Sequence, residues 1–430
     1  MHDGLVALAD QTLVSGVNFA TGLVLARYLS QASFGYYVLV FSVLLFVNGL
    51  QSALITAPMM VLAPRYGPSQ TARYINSLWV VQLAGYLVLA VAVTALLLSV
   101  RPWLPTGLME SGVGGLVLVL LAYLAQEFVR RLLFVRHFNL SALVADLISY
   151  GLQLGVIVVL IARQQLSLSA VIWVIGLTSL LSCVFGIIRL APAPAAVSRA
   201  DLHATCRNQW EHGRWLLRST IAQWSSNQIY LFVAASLLSV SATATLAASR
   251  NLLGLTNIMM LSLENFVPST VTRQFLAGGI EAVVRWIRRF RLVLGLTMGA
   301  YCVAVAIFAG PLMRLLFGPE YDNTETVVRL MALCYLLMAL KTPSIIALRA
   351  LSEPRWVFYS FLASSLVTVT ISGPLVLSGG LVGATIGMIV TQVILLVILS
   401  YAYWKVVGRH RAEALTQHTT EQRSLDPMVV

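Results

Sequence analysis

The apolar residues of this chain fall into twelve long runs separated by short polar breaks. The runs are about Leu5 to Leu29, Phe34 to Ala63, Asn76 to Val100, Val113 to Val135, Ala142 to Ala162 and Ser169 to Leu190. The other six are about Gly213 to Leu238, Ala242 to Phe275, Phe290 to Gly310, Thr326 to Ala350, Trp356 to Leu377 and Gly380 to Trp404. Each approaches or exceeds the roughly 20 apolar residues that cross a bilayer core, so the pattern predicts twelve transmembrane helices. The first two carry polar groups within their length. Gln11, Ser15, Asn18 and Gly22 share one helix face, and Ser42, Asn48, Gln51, Ser52 and Thr56 interrupt the second run. Lipid cannot satisfy such a stripe, so it must face a neighbouring helix or a water-filled cavity.

Composition agrees with the pattern. Of 430 residues, 59% are hydrophobic and 10% charged, and the mean hydropathy is +0.85. A soluble domain carries about 25% charged residues, so the expected class is an all-α, multi-pass integral membrane protein. The net charge of +12 comes almost entirely from arginine, because Lys341 and Lys405 are the only lysines. The arginines cluster in loops, as membrane topology requires, which removes nucleic acid as a partner. Cys183, Cys206, Cys302 and Cys334 show no metal-binding spacing, and three of them read as small packing residues within spans. The first run contains Asp10 and Asn18 and lacks a basic flank, unlike a cleavable signal.

A shift of about 210 residues lays the first six spans onto the last six, with Pro58 falling on Pro268 and Asn18 on Gln228. The expected organisation is therefore an N-terminal six-helix lobe (1–190), a cytoplasmic linker (191–212), a C-terminal six-helix lobe (213–407) and a polar, disordered cytoplasmic tail (408–430). Two halves of like orientation are common among transporters, with the substrate path between them. Odd-numbered loops hold only Arg27, Arg101, Arg163 and Arg314. Even-numbered loops and the tail hold clusters such as Arg130, Arg131 and Arg136, or Arg285, Arg288, Arg289 and Arg291. The bias puts both termini in the cytoplasm. Residues 280–293, IEAVVRWIRRFRLV, read as an amphipathic helix on the inner leaflet or as a plain cytoplasmic connector.

Charges within spans are scarce and expensive, at about 2.5–3.5 kcal/mol each on insertion scales. Glu127 precedes Arg130 and Arg131 at i+3 and i+4, the spacing of a helix-surface ion pair. Asp10, Asp146, Glu264 and Arg329 lie near span ends, where snorkelling is the default. Lys341 and Arg250 lie deeper. Arg250 shares a stripe with Thr243, Ala247, Gly254, Asn257 and Glu264, whose small members leave it room to reach into a cavity. No acid lies within one turn of it, so its partner comes from another helix, water or cargo. No histidine lies well inside a span. Pro58 and Pro268 occupy matching places late in the second and eighth spans, where each can kink a helix and act as a hinge, or simply end it.

Several stretches carry a family likeness: GRWLL (Gly213 to Leu217), Gln223-Trp224, Gln228, Tyr230, SRNLLGLTN (Ser249 to Asn257), LENFVPS (Leu263 to Ser269) and ALITAPMMVLAPRY (Ala53 to Tyr66). In these the chain resembles the polysaccharide-biosynthesis membrane proteins, the Wzx-type flippases of the multidrug/oligosaccharidyl-lipid/polysaccharide (MOP) exporter superfamily. The resemblance implies two six-helix lobes forming a V around a central, often cationic cavity in the bacterial inner membrane. It also implies alternating-access transfer of an undecaprenyl-diphosphate-linked oligosaccharide for exopolysaccharide, capsule or O-antigen synthesis, without a cofactor or metal. Expected partners are the lipid-linked oligosaccharide, membrane lipids and polymerase or export proteins. Arg250, and more weakly Arg27 and Lys341, are the candidate headgroup contacts. Asn18, Asn48, Gln51, Gln223, Asn227, Gln228 and Asn257 supply hydrogen bonds for sugars.

Two other classes compete with the flippase. A cation-coupled multidrug antiporter on the same scaffold wants carboxylates deep in one lobe, for which Glu127 and Asp146 are candidates. A membrane-embedded glycosyltransferase or polymerase needs a sizeable external loop, whereas the first is only about Arg27 to Ser33. The chain has no HExxH, P-loop or strand-borne GxGxxG, so an enzyme is not expected. The GxxxG pairs Gly151–Gly155 and Gly383–Gly387 predict close helix packing.

Overall fold

A computed structural model describes residues 2–103, 105–191, 197–351 and 353–425; side chains at 2–9, 11, 68, 108, 257–258, 261–266, 268–269 and 414–425 lie outside the description. The described residues are almost wholly helical and contain no strand. Twelve long segments follow in order. They are α1 (His2–Tyr28), α2 (Gln31–Arg65), α3 (Ser69–Trp103), α4 (Gly112–Val135), α5 (Asn139–Ala162) and α6 (Leu168–Leu190). After them come α7 (Arg199–Leu237), α8 (240–277), α9 (280–307), α10 (Glu325–Ala350), α11 (354–379) and α12 (381–425). The architecture is the expected all-α, twelve-segment membrane fold.

Local chemistry sets the ends of these segments. The Ser30 side chain accepts from the Ser33 amide at the start of α2, and Ser167 does the same for Ala170 at the start of α6. Before α7, the Ser198 amide donates to the Asp201 carboxylate and the Asp201 amide donates to Ser198 Oγ, a reciprocal capping box. The polar linker is therefore shorter than its composition predicts: α7 begins at Arg199 and runs without a break into the seventh span. Helix α12 likewise continues past Gly408 to Leu425, through a stretch free of proline in which Arg409 and Glu413 pair at i,i+4. Residues 280–293 are the opening turns of α9 itself, directly continuous with its membrane part. The α8–α9 connection is the non-helical glycine pair Gly278–Gly279 and the α11–α12 connection is Gly380; Gly279 has φ 61°, ψ −159° and Gly380 has φ 56°, ψ −136°. Such a backbone is essentially confined to glycine.

The chain divides into two compact units. Unit 1 comprises Met1–Trp224, Leu238–Asn251 and Leu316–Glu320; unit 2 comprises Ser225–Leu237, Leu252–Leu315 and Tyr321–Val430. In unit 1 the core joins Met59, Leu62, Leu78, Phe128 and Leu132 from α2, α3 and α4. A second cluster joins Val129, Leu133, Ala142, Ala145 and Cys183 from α4, α5 and α6. In unit 2, Val271, Val283, Ile287, Ile346 and Tyr403 tie α8, α9, α10 and α12 together. Cys183, Cys302 and Cys334 are buried, as packing residues should be. Outer faces are apolar: Leu83, Leu87 and Val91 of α3 are all more than 60% exposed. A contiguous face of this kind is stable only against lipid.

Helix contact is close where glycine allows it. A Cβ on Gly387 would lie 2.5 Å from the Tyr230 ring, and one on Gly186 would lie 2.3 Å from Val129 Cγ1. The second GxxxG pair thus packs as its spacing predicts. The first does not, since a Cβ on Gly155 would meet nothing within 4 Å and one on Gly151 would meet only Leu147 of its own helix.

Candidate functional site

Helix α4 buries one polar face together with its apolar one: Gln126, Glu127 and Arg130 are all buried. Arg130 is the hub of unit 1. Its Nη2 donates to Asp10 Oδ2 at 2.7 Å, its Nε lies 2.6 Å from Asp146 Oδ2, and its Nη1 lies 3.7 Å from Glu127 Oε2. Asp146 is fully buried and Asp10 is 2% exposed, so neither snorkels. Position in the span misled the sequence reading. Asp146 sits on the buried stripe of α5 formed by Ala142, Ala145, Ser149 and Gln153, a helical spacing that was open to inspection. The Glu127–Arg130 pair occurs as its spacing predicts, but inside the protein. Tyr150 donates to Glu127 Oε1 at 3.4 Å, and Ser149 donates to Gln126 Oε1 at 2.9 Å. Residues Leu147–Gly151 form a π-helical turn directly after Asp146, a distortion frequent at functional sites.

One guanidinium cannot neutralise three carboxylates. Three carboxyl groups around one guanidinium cannot all stay ionised cheaply in a buried place, which is the chemistry of a site able to hold a proton. Among the described residues, no group of three or more His, Cys, Asp or Glu has a geometry that could hold a metal ion. The arginine already occupies the centre, which leaves protonation as the natural change of state.

Unit 2 holds a buried cation of its own. Lys341 of α10 is 4% exposed, donates to Gln392 Oε1 of α12 and lies 5.4 Å from the Phe361 ring centroid. Gln392 Nε2 donates in turn to Asn227 Oδ1 of α7 at 3.5 Å. Two residues on, Pro343 lies inside α10 and lacks the N–H that would bond the Ala339 carbonyl, so one helical hydrogen bond is missing beside Lys341. Pro343 went unremarked in the sequence, although a proline within an apolar run is a direct signal. Under the shift of about 210 residues, Lys341 falls beside the Arg130–Arg131 pair of the first half.

The other candidate residues divide between the two units. Gln51 is buried within unit 1, where its Nε2 donates to the Leu124 carbonyl at 2.9 Å and its Oε1 accepts from Gln82 and Tyr86. Asn18, Asn48 and Arg250 are half-buried in unit 1, and Gln223 is exposed there. Arg27 is exposed and donates to the Leu316 carbonyl at 3.4 Å. Gln228 is half-buried in unit 2. The side chains of Asn257 and Pro268 lie outside the described residues. Pro58 is buried, with the π-helical turn Ser52–Thr56 just before it, and it occupies the first turn of the α-helical stretch that follows. Inside the continuous α2 the proline ring removes one helical N–H, and the wider π-helical turn just before it accommodates the break.

The fold is that of the MOP-superfamily transporters. A multidrug-resistance MATE transporter of that superfamily, solved facing inward, superposes with a TM-score of 0.73 at 15% identity, covering 92% of this chain and 95% of its own. The Lipid II flippase MurJ in an inward closed conformation gives 0.67 at 12% identity, over 97% and 92%. A MOP-superfamily transporter from Pyrococcus furiosus, whose binding pocket of reverse polarity suggests a different function, gives 0.66 at 11% identity, over 95% and 96%. At the level of sequence, the MatE family matches residues 216–375. No curated protein matches the sequence.

Proposed function

We propose that this protein is a multi-pass transporter of the bacterial inner membrane that carries an undecaprenyl-diphosphate-linked oligosaccharide to the outer leaflet by alternating access. The observation that supports this cargo is the Lys341–Gln392–Asn227 chain, a buried cation among amides. A diphosphate needs cations, and its sugars need amide donors and acceptors. Arg250 is the second candidate for the diphosphate, because its planar fork holds two oxygens and stays charged at any relevant pH. The likeness to a Lipid II flippase supports the same class of cargo. On this reading residues 1–190 and 213–407 are the moving lobes, Pro58 and Pro268 their hinges, and both termini are cytoplasmic.

A second reading, a cation-coupled multidrug antiporter, is favoured by the Asp10–Glu127–Asp146 cluster around Arg130. The cluster fits either cargo as a proton-coupling device. One experiment separates them. Proteoliposomes are given an imposed pH gradient and either a fluorescent undecaprenyl-diphosphate glycan or a cationic dye. Movement of the glycan, lost in Lys341→Gln, supports the flippase; dye efflux without glycan movement sinks it.

A further inference from the structure

Unit 2 contains a second polar–apolar site that the transport reading does not use. Helices α9, α10 and α12 border a half-open cleft of about 860 Å³. Arg288, Arg291 and Arg411 line one end of it, and Leu292, Leu296, Leu336 and Leu340 line the other. Along α9, Arg288 and Leu296 are eight residues apart, about 12 Å at the helical rise. The cleft therefore passes from cationic to fully apolar within the length of a headgroup and the first carbons of a chain. None of the candidate cargo contacts lines it.

The three arginines are not equivalent. Arg411 is committed to Glu281 through two bonds of 2.7 and 3.2 Å. Arg291 donates through Nη2 to Ser344 Oγ at 2.9 Å and lies 5.9 Å from the Tyr403 ring centroid, while its Nε is buried without a hydrogen-bond partner. Arg288 is exposed and makes no hydrogen bond or ion pair among the described residues. Two guanidinium groups thus have donors to give, beside a slot whose outer edge is apolar: Leu292 is 60% and Leu296 72% exposed. A free anion would gain nothing from that apolar wall, and a neutral hydrocarbon would gain nothing from the arginines.

The geometry points to a binding site for an anionic membrane phospholipid. Its phosphate lies between Arg288 and Arg291, and its acyl chain lies along Leu292, Leu296, Leu336 and Leu340. The lipid comes from the leaflet in which α9 begins and α12 leaves the membrane. It acts as a wedge bound across three helices of unit 2.

The test uses the full chain, purified in detergent and titrated with palmitoyl-oleoyl phosphatidylglycerol, with zwitterionic, net-neutral phosphatidylcholine as the control and native mass spectrometry as the readout. Wild type is expected to hold phosphatidylglycerol in preference to phosphatidylcholine. Arg288→Gln combined with Arg291→Gln should weaken it roughly thirtyfold, since each basic residue at an anionic lipid surface is worth about fivefold. Leu296→Trp fills the apolar slot, keeps every charge and should also displace the lipid. Because Arg288 is exposed, Arg288→Gln alone carries the charge arm if the double variant does not fold. Unchanged retention by the arginine variants overturns the proposal. So does a phosphatidylglycerol signal that Leu296→Trp leaves intact and inorganic phosphate removes, because that result describes a free-anion site.

Discussion

Replacing Arg130 by methionine tests the hub of unit 1 most directly. The guanidinium is shared by Asp10, Glu127 and Asp146 through three different nitrogens, and all four side chains are buried. Removing one partner of a buried ion pair costs about 3–5 kcal/mol, mainly because the remaining charge is left uncompensated. Three carboxylates lose their cation here, so the upper end of that range applies. Native stabilities are about 5–15 kcal/mol, and the variant should therefore accumulate poorly and unfold at markedly lower temperature. The informative measurement is a rescue. On the Arg130→Met background, Asp10→Asn, Glu127→Gln and Asp146→Asn together remove the orphaned charge, and thermal unfolding in detergent should return most of the way to wild type. Arg130→Lys should fall between the two, because one ammonium cannot serve three partners placed around a planar fork. Wild-type unfolding by Arg130→Met, or no rescue on neutralisation, would refute the claim that the acids depend on this arginine. The rescued protein also separates stability from coupling: it should be folded yet unresponsive to an imposed pH gradient.

Other expectations follow from single contacts. Gly387→Val places a side chain against the fully buried Tyr230 ring, 2.5 Å from where a Cβ would stand, and should destabilise the protein by about 1–3 kcal/mol in the same melting assay. Arg250→Ala should sharply reduce glycan export with the protein still inserted, and Arg250→Lys should recover part of it; wild-type export by a well-expressed Arg250→Ala removes the headgroup role. The Asp201 carboxylate is held below its usual pKa by hydrogen bonds from the Ser198 hydroxyl and amide. A lowered folded-state value means that the cap contributes fully above the ordinary aspartate range and is lost as pH falls through the folded value. Hydrogen exchange in the first turn of α7, corrected for intrinsic rates, should therefore quicken in acid, and Asp201→Asn should abolish that pH dependence.

The twelve spans were legible because a bilayer imposes one length and one polarity on every crossing, and that signal survives in any window of the chain. The start of α7 was legible too, in the Ser198-to-Asp201 spacing, but the prolines and alanines just before it dominated the reading of the break. What the sequence hid was pairing between distant helices. Asp10 and Asp146 read as span-end residues because nothing local shows that Arg130, on a third helix, lies between them. Gln51 reads like a cavity residue for the same reason: its partners Leu124, Gln82 and Tyr86 come from other helices. Lys341 could be singled out as deep, whereas its contact with Gln392 spans 51 residues of chain. GxxxG failed at Gly155 because a small residue permits close approach without requiring it.

The positive-φ turns at Gly279 and Gly380 have a consequence at the level of the gene. Open space surrounds both positions, so packing would accept a larger residue; the backbone would not, because both sit at positive φ with ψ near the extended limit. Every missense change one base away from a glycine codon introduces a residue with a Cβ. Each of these codons is therefore intolerant of every amino-acid change that a single mutation can reach, even though a side chain at either position would meet open space.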